Sequence, residues 1–305
     1  MKLIQLRAFC SVVDMGSFRS AARQLNAAQS TLTESIQSLE KELGATLLVR
    51  SNLGISLTLA GKVFLPRARS IVLDCERAVQ DVRQCNDMPE GQIALGVTAE
   101  PLAACLMPVF SSFTRRFPQV GLHVAGGRTK LLIEMIRAGR LDFAMGPLSP
   151  NVCDIDLHIE RLYHAKASVI ARKGHPLAGA RSLHELAECQ WISVRPAGVV
   201  GNAEQQLIEL FKAQGLPPPQ IAITTESLLE ILHIISETDY LTVEPDLLPG
   251  MKLFSSSLIS ISIQEALASS EVCLISRRVS PFSRATQELT SMLISYSRLR
   301  HRAKG

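Results

Sequence analysis

Apolar residues recur at helical spacing from the start of the chain: Leu3, Leu6, Phe9, Cys10 and Val13 form one stripe, which Gly16 interrupts. Ser17 stands where a helix cap belongs, ahead of a short second helix over residues 18–25 with Ala21, Ala22 and Leu25 facing inward. After an Asn26-Ala27 turn, Leu32, Ile36, Leu39 and Leu43 predict a third helix that ends at Gly44. Residues 47–50, a turn over 51–54 and residues 55–57 predict a small hairpin. Three short helices with a tight turn before the last and a hairpin after it predict a winged helix-turn-helix.

Thr58 is placed to cap a long helix running to about residue 86, in which Phe64, Ala68, Ile71, Cys75, Ala78, Val82 and Cys85 alternate spacings of four and three. A helix packed on its own domain drifts to a 3.6 period, so this seam predicts a dimerisation helix. Pro66 predicts a kink or a junction within it. Residues 87–91 mark a boundary, and beyond it strands and helices alternate twice over similar lengths. The expected result is an α+β multi-domain chain. It has a head over 1–58, a linker helix over 59–88 and a two-lobed α/β domain over 89–305. The first lobe covers about 89–161 and 266–305, the second about 162–265, with two crossing strands between them.

At 305 residues the chain exceeds the size of one hydrophobic core, in keeping with several domains. Its longest apolar stretches are interrupted, as by Glu100, and the polar residues among the first seven do not suit a signal segment; the expectation is a cytoplasmic protein without a membrane helix. Charge is unevenly divided. The first 70 residues hold nine cations against four carboxylates, while the rest is nearly neutral, a distribution suited to phosphate binding by the head. The seven cysteines are odd in number and scattered, with no C-x-x-C pair, and read as reduced thiols. The histidines do not cluster with them, so no metal or cofactor is expected. No G-x-S-x-G, P-loop, G-x-G-x-x-G or H-E-x-x-H occurs, which argues against an enzyme; His175 between Gly174 and Pro176 reads as a turn residue.

Over nearly its whole length the chain resembles the LysR-type transcriptional regulators. The match is densest at Phe9, Gly16-Ser17-Phe18, Ala21-Ala22-x-x-Leu25, Gln29-Ser30, Ile36-x-x-Leu39-Glu40-x-x-Leu43-Gly44, Leu47-Leu48-x-Arg50 and Leu57-Thr58-x-x-Gly61. It continues more loosely through Phe113-x-x-x-Phe117-Pro118, Gly139-x-Leu141-Asp142-x-Ala144, Gly174-His175-Pro176-Leu177, Leu183-x-x-Leu186 and Gly215-Leu216. Ala28 departs from the family's usual capping serine, at a cost of ~1 kcal/mol to the helix, and Ser30 and Thr31 replace a common Pro-Ala pair. The resemblance implies a DNA-binding regulator controlled by a small-molecule effector bound in a cleft like that of periplasmic binding proteins. It also implies dimers paired into tetramers, with RNA polymerase a further candidate partner. A free solute-binding protein and a thiol-redox regulator are the competing readings; the second needs paired cysteines, whereas Cys153 and Cys189 lie far apart in sequence.

On this reading Gln29, Ser30, Thr31, Thr33 and Glu34 form the exposed face of a recognition helix in the major groove of double-stranded DNA. Gln29 is the base reader, through a bidentate pairing with adenine. Arg50, with Ser51 and Asn52, carries the wing contact, and Arg19 and Arg23 hold phosphates. The effector site is expected where strand ends meet helix starts. Thr98, Ala99, Glu100, Arg128, Thr129, Gly146 and Pro147 line it from one lobe, and Arg195, Gly198, Asn202 and Glu226 from the other. Arg128 and Arg195 suit a carboxylate or sulfonate, and Glu100 either neutralises an arginine or binds an effector amine or hydroxyl.

Overall fold

The computed structural model describes residues 1–51, 54–83, 91–148, 154–194, 202–267, 269–279 and 281–302. Helices α1 (Leu3–Met15), α2 (Phe18–Gln24) and α3 (Gln29–Leu43) are followed by a hairpin of β1 (Leu48–Ser51) and β2 (Gly54–Leu57), with Leu48 opposite Leu57. Gly16 and Gly44 end α1 and α3 in the left-handed conformation that a side chain would strain, with φ of +66° and +63°. Ser17 Oγ accepts the Ser20 N–H at 3.1 Å, as a cap should. Phe9, Ala21, Leu32, Ile36, Leu39 and Leu47 fill the head core. Leu25, expected inside, is exposed instead, because it follows the last residue of α2 where the chain turns away.

Thr58 Oγ1 accepts the Gly61 N–H at 3.0 Å at the start of α4 (Leu59–Arg83), which runs unbroken through Pro66. Leu65 and Ala68, on either side of the proline, are anchored in the head core, which accounts for its tolerance. The predicted seam is therefore corrected at its start. Phe64 packs on Phe9 with ring centroids 5.6 Å apart, and Ala68 is wholly buried, so both belong to the head and not to a partner-facing stripe. Farther along, Asp74 pairs with Arg277 at 3.1 Å, fastening α4 to the C-terminal domain, and α4 passes close enough to Gly139 that a Cβ there would lie 3.4 Å from Leu73.

That domain begins with β3 (Gly91–Val97), α5 (Ala99–Pro101), a π-wound segment (Leu102–Leu106), α6 (Met107–Arg116), β4 (Val120–Gly126), α7 (Thr129–Arg137), β5 (Phe143–Pro147) and β6 (Leu157–Ala165). It continues with β7 (Ala167–Arg172), β8 (Gln190–Val194), α8 (Asn202–Ala213), β9 (Gln220–Thr225), α9 (Leu228–Glu237), β10 (Thr242–Pro245), β11 (Leu258–Ile261), β12 (Ser270–Arg277) and α10 (Arg284–Arg302). One sheet has the order β4-β3-β5-β12-β6, with β3 parallel to both β4 and β5. In the second lobe β10-β7-β11 is antiparallel and β8-β9 parallel, and a parallel bridge from Trp191 to Leu241 joins the two pieces. The first crossing between the lobes passes from β6 to β7: the chain leaves the first sheet after Ala165 and enters the second at Ala167.

Phe113, Phe143 and Leu289 lie in the first lobe's core under α6 and α10. Trp191 anchors the second, with its ring edge-on to Phe211 at 5.8 Å. His175, read from sequence as a turn residue, accepts the Leu177 N–H on Nδ1 and so donates from Nε2 to the Asp239 carbonyl at 3.1 Å.

Candidate DNA-binding face and effector cleft

The burial of Leu32, Ile36 and Leu39 turns the opposite face of α3 outward, leaving Gln29, Ser30, Thr31 and Glu34 exposed and Thr33 half-exposed. Ala28 occupies the cap position without a side-chain bond. The Thr33 hydroxyl donates back to the Gln29 carbonyl at 3.0 Å, so it presents its methyl group outward more readily than its oxygen. Arg19 and Arg23 are exposed on α2. Arg50 and Ser51 lie in β1 with side chains outside the described set, and Asn52 lies outside the described residues.

Two residues of the matched motifs, Glu40 and Gly61, to which the sequence assigned no role, set the wing against this helix. Glu40 Oε1 accepts the N–H groups of Leu47 at 2.7 Å and Leu48 at 3.1 Å. Gly61 lets α4 pass so close to the wing that a Cβ there would fall 2.1 Å from the Leu47 carbonyl oxygen. Glu40 stood in the matched motif, but only tertiary contact reveals its acceptors.

In the first lobe the predicted segments converge. Thr98 follows β3, Thr129 begins α7 and Gly146 lies in β5; a Cβ on Gly146 would meet Thr129 Oγ1 at 2.7 Å and Thr98 Oγ1 at 3.3 Å. Both hydroxyls are buried with no hydrogen-bond partner among the described residues, and Thr98, though placed as a helix cap, makes no cap bond. Two orphaned hydroxyls facing a residue without a side chain are suited to holding a small polar group. Ala99 is half-buried beside Thr98, Pro147 is half-buried opposite Val272, and Arg128 is exposed at the start of α7.

Glu100 is 5% exposed and accepts the Tyr163 hydroxyl at 2.6 Å, which ties it to the strand that crosses between the lobes. Cys105 and Ser297 extend this buried chain, and the desolvation and negative charge around Tyr163 push its hydroxyl far above the ordinary range. From the second lobe, Glu226 is exposed after β9; Arg195 and Gly198 lie outside the described residues, as does the Asn202 side chain at the start of α8. A carboxyl missed from sequence, Glu244, stands near the end of β10, where burial pushes it up to about 8.

Residues 3–62 match the model of the bacterial regulatory helix-turn-helix protein of the lysR family, and residues 86–298 match the LysR substrate binding domain. The chain belongs to the LysR family. Its members are transcriptional regulators and not enzymes, so this LysR chain couples a DNA-binding head to an effector-binding domain. It is similar to the transcriptional regulator TdcA of Escherichia coli K12, with 27% identity over 97% of this chain and 93% of the relative. The probable cat1 operon transcriptional activator of Acinetobacter lwoffii is 30% identical over 72% of this chain and 73% of its own. Among solved structures, full-length CbnR with its target DNA superposes with a TM-score of 0.68 at 20% identity, covering 97% of this chain and all of that one. A full-length OxyR variant of Pseudomonas aeruginosa gives 0.72 at 19%, covering 98% and 95%. The last two establish likeness of fold.

Burial raises the thiol of Cys189, and Asp239 and Glu188 raise it further, the opposite of what a thiolate sensor needs. Burial likewise pushes Cys10 and Cys273 up to about 11. Cys153 lies outside the described residues. No helix among the described residues is long and apolar enough to cross a membrane.

Proposed function

We propose that the regulator reads its operator with α3 in the major groove and is switched by a small organic acid held between the lobes. The observation that carries the effector reading is the pair of buried, unpartnered hydroxyls of Thr98 and Thr129 at Gly146. Their neighbours are the N-terminal N–H groups of α5 and α7, which favour an anion, and Arg128 at the rim supplies a cation. Arg195, Gly198 and Asn202 complete the site from the second lobe on this reading. Pairing with Arg128 and Arg195 favours a carboxylate or sulfonate, aromatic acids included. Residues 47–50 and 54–58 also resemble the toluenesulfonate-degradation regulator, but they lie in the wing and do not bear on the effector.

For DNA, Gln29 pairs with adenine, the Thr33 methyl meets a thymine methyl, Glu34 accepts from cytosine, and Ser30 and Thr31 hydrogen-bond the neighbouring edges or phosphates. Arg50, Ser51 and Asn52 follow the wing, and Arg19 and Arg23 hold the backbone. The structure of CbnR with its target DNA supports this reading through the shared fold. Ile71, Cys75, Ala78 and Val79 share one face of α4 and are exposed or half-buried, the surface for a homodimer whose pairing gives a tetramer in the cytoplasm, with RNA polymerase as downstream partner. A free solute-binding protein has no use for the basic head.

The test is a gel shift on the DNA upstream of the regulator's own gene, with and without benzoate, salicylate and lactate, in wild type and Thr98→Val. An acid-dependent change in mobility or affinity that Thr98→Val loses is expected. A response that survives Thr98→Val with undiminished acid affinity puts the effector elsewhere.

A further inference from the structure

Three other carboxyls drawn into the fold each hold a donor: Glu40 the wing N–H groups, Glu100 the Tyr163 hydroxyl, and Glu265 Oε1 the Leu183 N–H at 2.9 Å. Glu244 is half-buried and desolvated by its surroundings, and among the described residues it has neither a hydrogen bond nor a charge partner. An unpaired carboxyl costs the fold free energy and returns none, so its presence calls for an explanation outside folding.

Its position supplies one. Leu241 is bridged in parallel to Trp191, with the Ile192 N–H donating to the Leu241 carbonyl at 2.8 Å and the Leu241 N–H to the Gln190 carbonyl at 2.9 Å, so β10 runs in the same direction as β8 and β9. The C-terminal end of β10 therefore lies at the same edge of the sheet as Val194 and Thr225, the edge where α/β sheets bind ligands. Glu244 is opposite Ser168 and Pro245 opposite Ala167, while the Asp246 N–H bonds to the Lys166 carbonyl at 3.0 Å, so the carboxyl sits beside the passage between lobes. Ser168 Oγ in turn donates to Ser260 Oγ at 3.1 Å, making a short polar row on a face otherwise built from Ile170, Ile192 and Ile231.

We propose that Glu244 is the specificity-determining group of the second lobe, recognising a hydroxyl or amine that the effector carries opposite its acid group. This rests on the effector cleft proposed above. The effector class narrows to hydroxylated or amino organic acids. Near neutral pH a Glu244 raised to about 8 is mostly the neutral acid, with one donor and one acceptor, so it does not repel an anion held by Thr98 and Thr129. Burial alone raises it: the charges of Lys166, Asp246 and Glu226 do not contribute.

The experiment measures binding of matched pairs to the full-length protein by calorimetry: propionate against lactate and β-alanine, and benzoate against 3-hydroxybenzoate. Wild type should prefer at least one hydroxylated or amino member by about tenfold, the value of one good hydrogen bond. Glu244→Leu should cut that preference to within about twofold, and Glu244→Gln should restore most of it. The leucine suits the aliphatic face, and Glu244→Gln, nearly isosteric, guards against misfolding. No preference in wild type, or a preference that Glu244→Leu leaves intact, overturns the assignment while binding lost in Thr98→Val upholds the cleft. If no acid binds, or if binding survives Thr98→Val, the cleft reading fails, and this assignment fails with it.

Discussion

Glu40 Oε1 accepts the Leu47 N–H at 2.7 Å, and this bond fixes where the wing stands relative to the recognition helix. Leu48 shares the same oxygen at 3.1 Å. Truncation of the side chain leaves two backbone donors without their acceptor. Glu40→Ala should destabilise the head by about 1.5–3 kcal/mol, read by chemical denaturation, and should weaken DNA binding more than Glu40→Gln, which keeps an acceptor.

At the DNA face the two kinds of contact separate by their salt response. Gln29→Ala should cost about 1–3 kcal/mol of discrimination at one base pair with little change in the salt slope. Arg50→Ala should weaken binding across all sequences and lower the slope by about one counterion. Fluorescence anisotropy on the upstream DNA at several salt concentrations measures both.

Gly146 has no room for a side chain. Its Cβ would stand 2.7 Å from both Thr98 Cγ2 and Thr129 Oγ1. Gly146→Ala should lower stability by about 1–3 kcal/mol through overpacking and reduce acid binding at least tenfold, with effector-free DNA binding preserved. Calorimetry and anisotropy on one preparation test these together.

Glu244 predicts a pH dependence of stability. Its carboxyl titrates near 4.5 in the unfolded chain and about 8 in the folded one, so between these values the folded state holds a proton that the unfolded state has released. Stability contributed below pH 4.5 is therefore lost as pH rises to 8, at up to about 1.4 kcal/mol per pH unit. Denaturation at pH 5.5, 7 and 8.5 should show wild type falling more steeply than Glu244→Gln.

The apolar strip on α4 predicts that Ile71→Asp with Val79→Asp breaks the dimer. Sedimentation at micromolar concentration should then give the monomer, with the head still folded because Leu65 and Ala68 are untouched. A charge buried against its own copy in a dimer is the cause.

Much of this regulator was legible along the chain, for reasons of local physics. Helical and strand periods, Gly16 and Gly44 as terminators, Ser17 and Thr58 as caps and the wing hairpin are decided within a few residues, so α1 to α3, β1 and β2 follow from spacing. Thr98, Thr129 and Gly146 were nameable because the cleft end of a parallel strand is implied by strand and helix order.

Tertiary packing decided the rest. The same heptad spacing serves a core and a seam, and only the position of Phe9 shows that Phe64 packs against the head of its own chain. Glu40, Glu100 and Glu244 look alike in sequence, and what separates them is the company each keeps: two wing N–H groups, a tyrosine hydroxyl and no partner among the described residues. Periodicity records which face of an element is apolar, whereas a carboxyl's role depends on desolvation and on donors brought from far along the chain, as Tyr163 is from Glu100, 63 positions away.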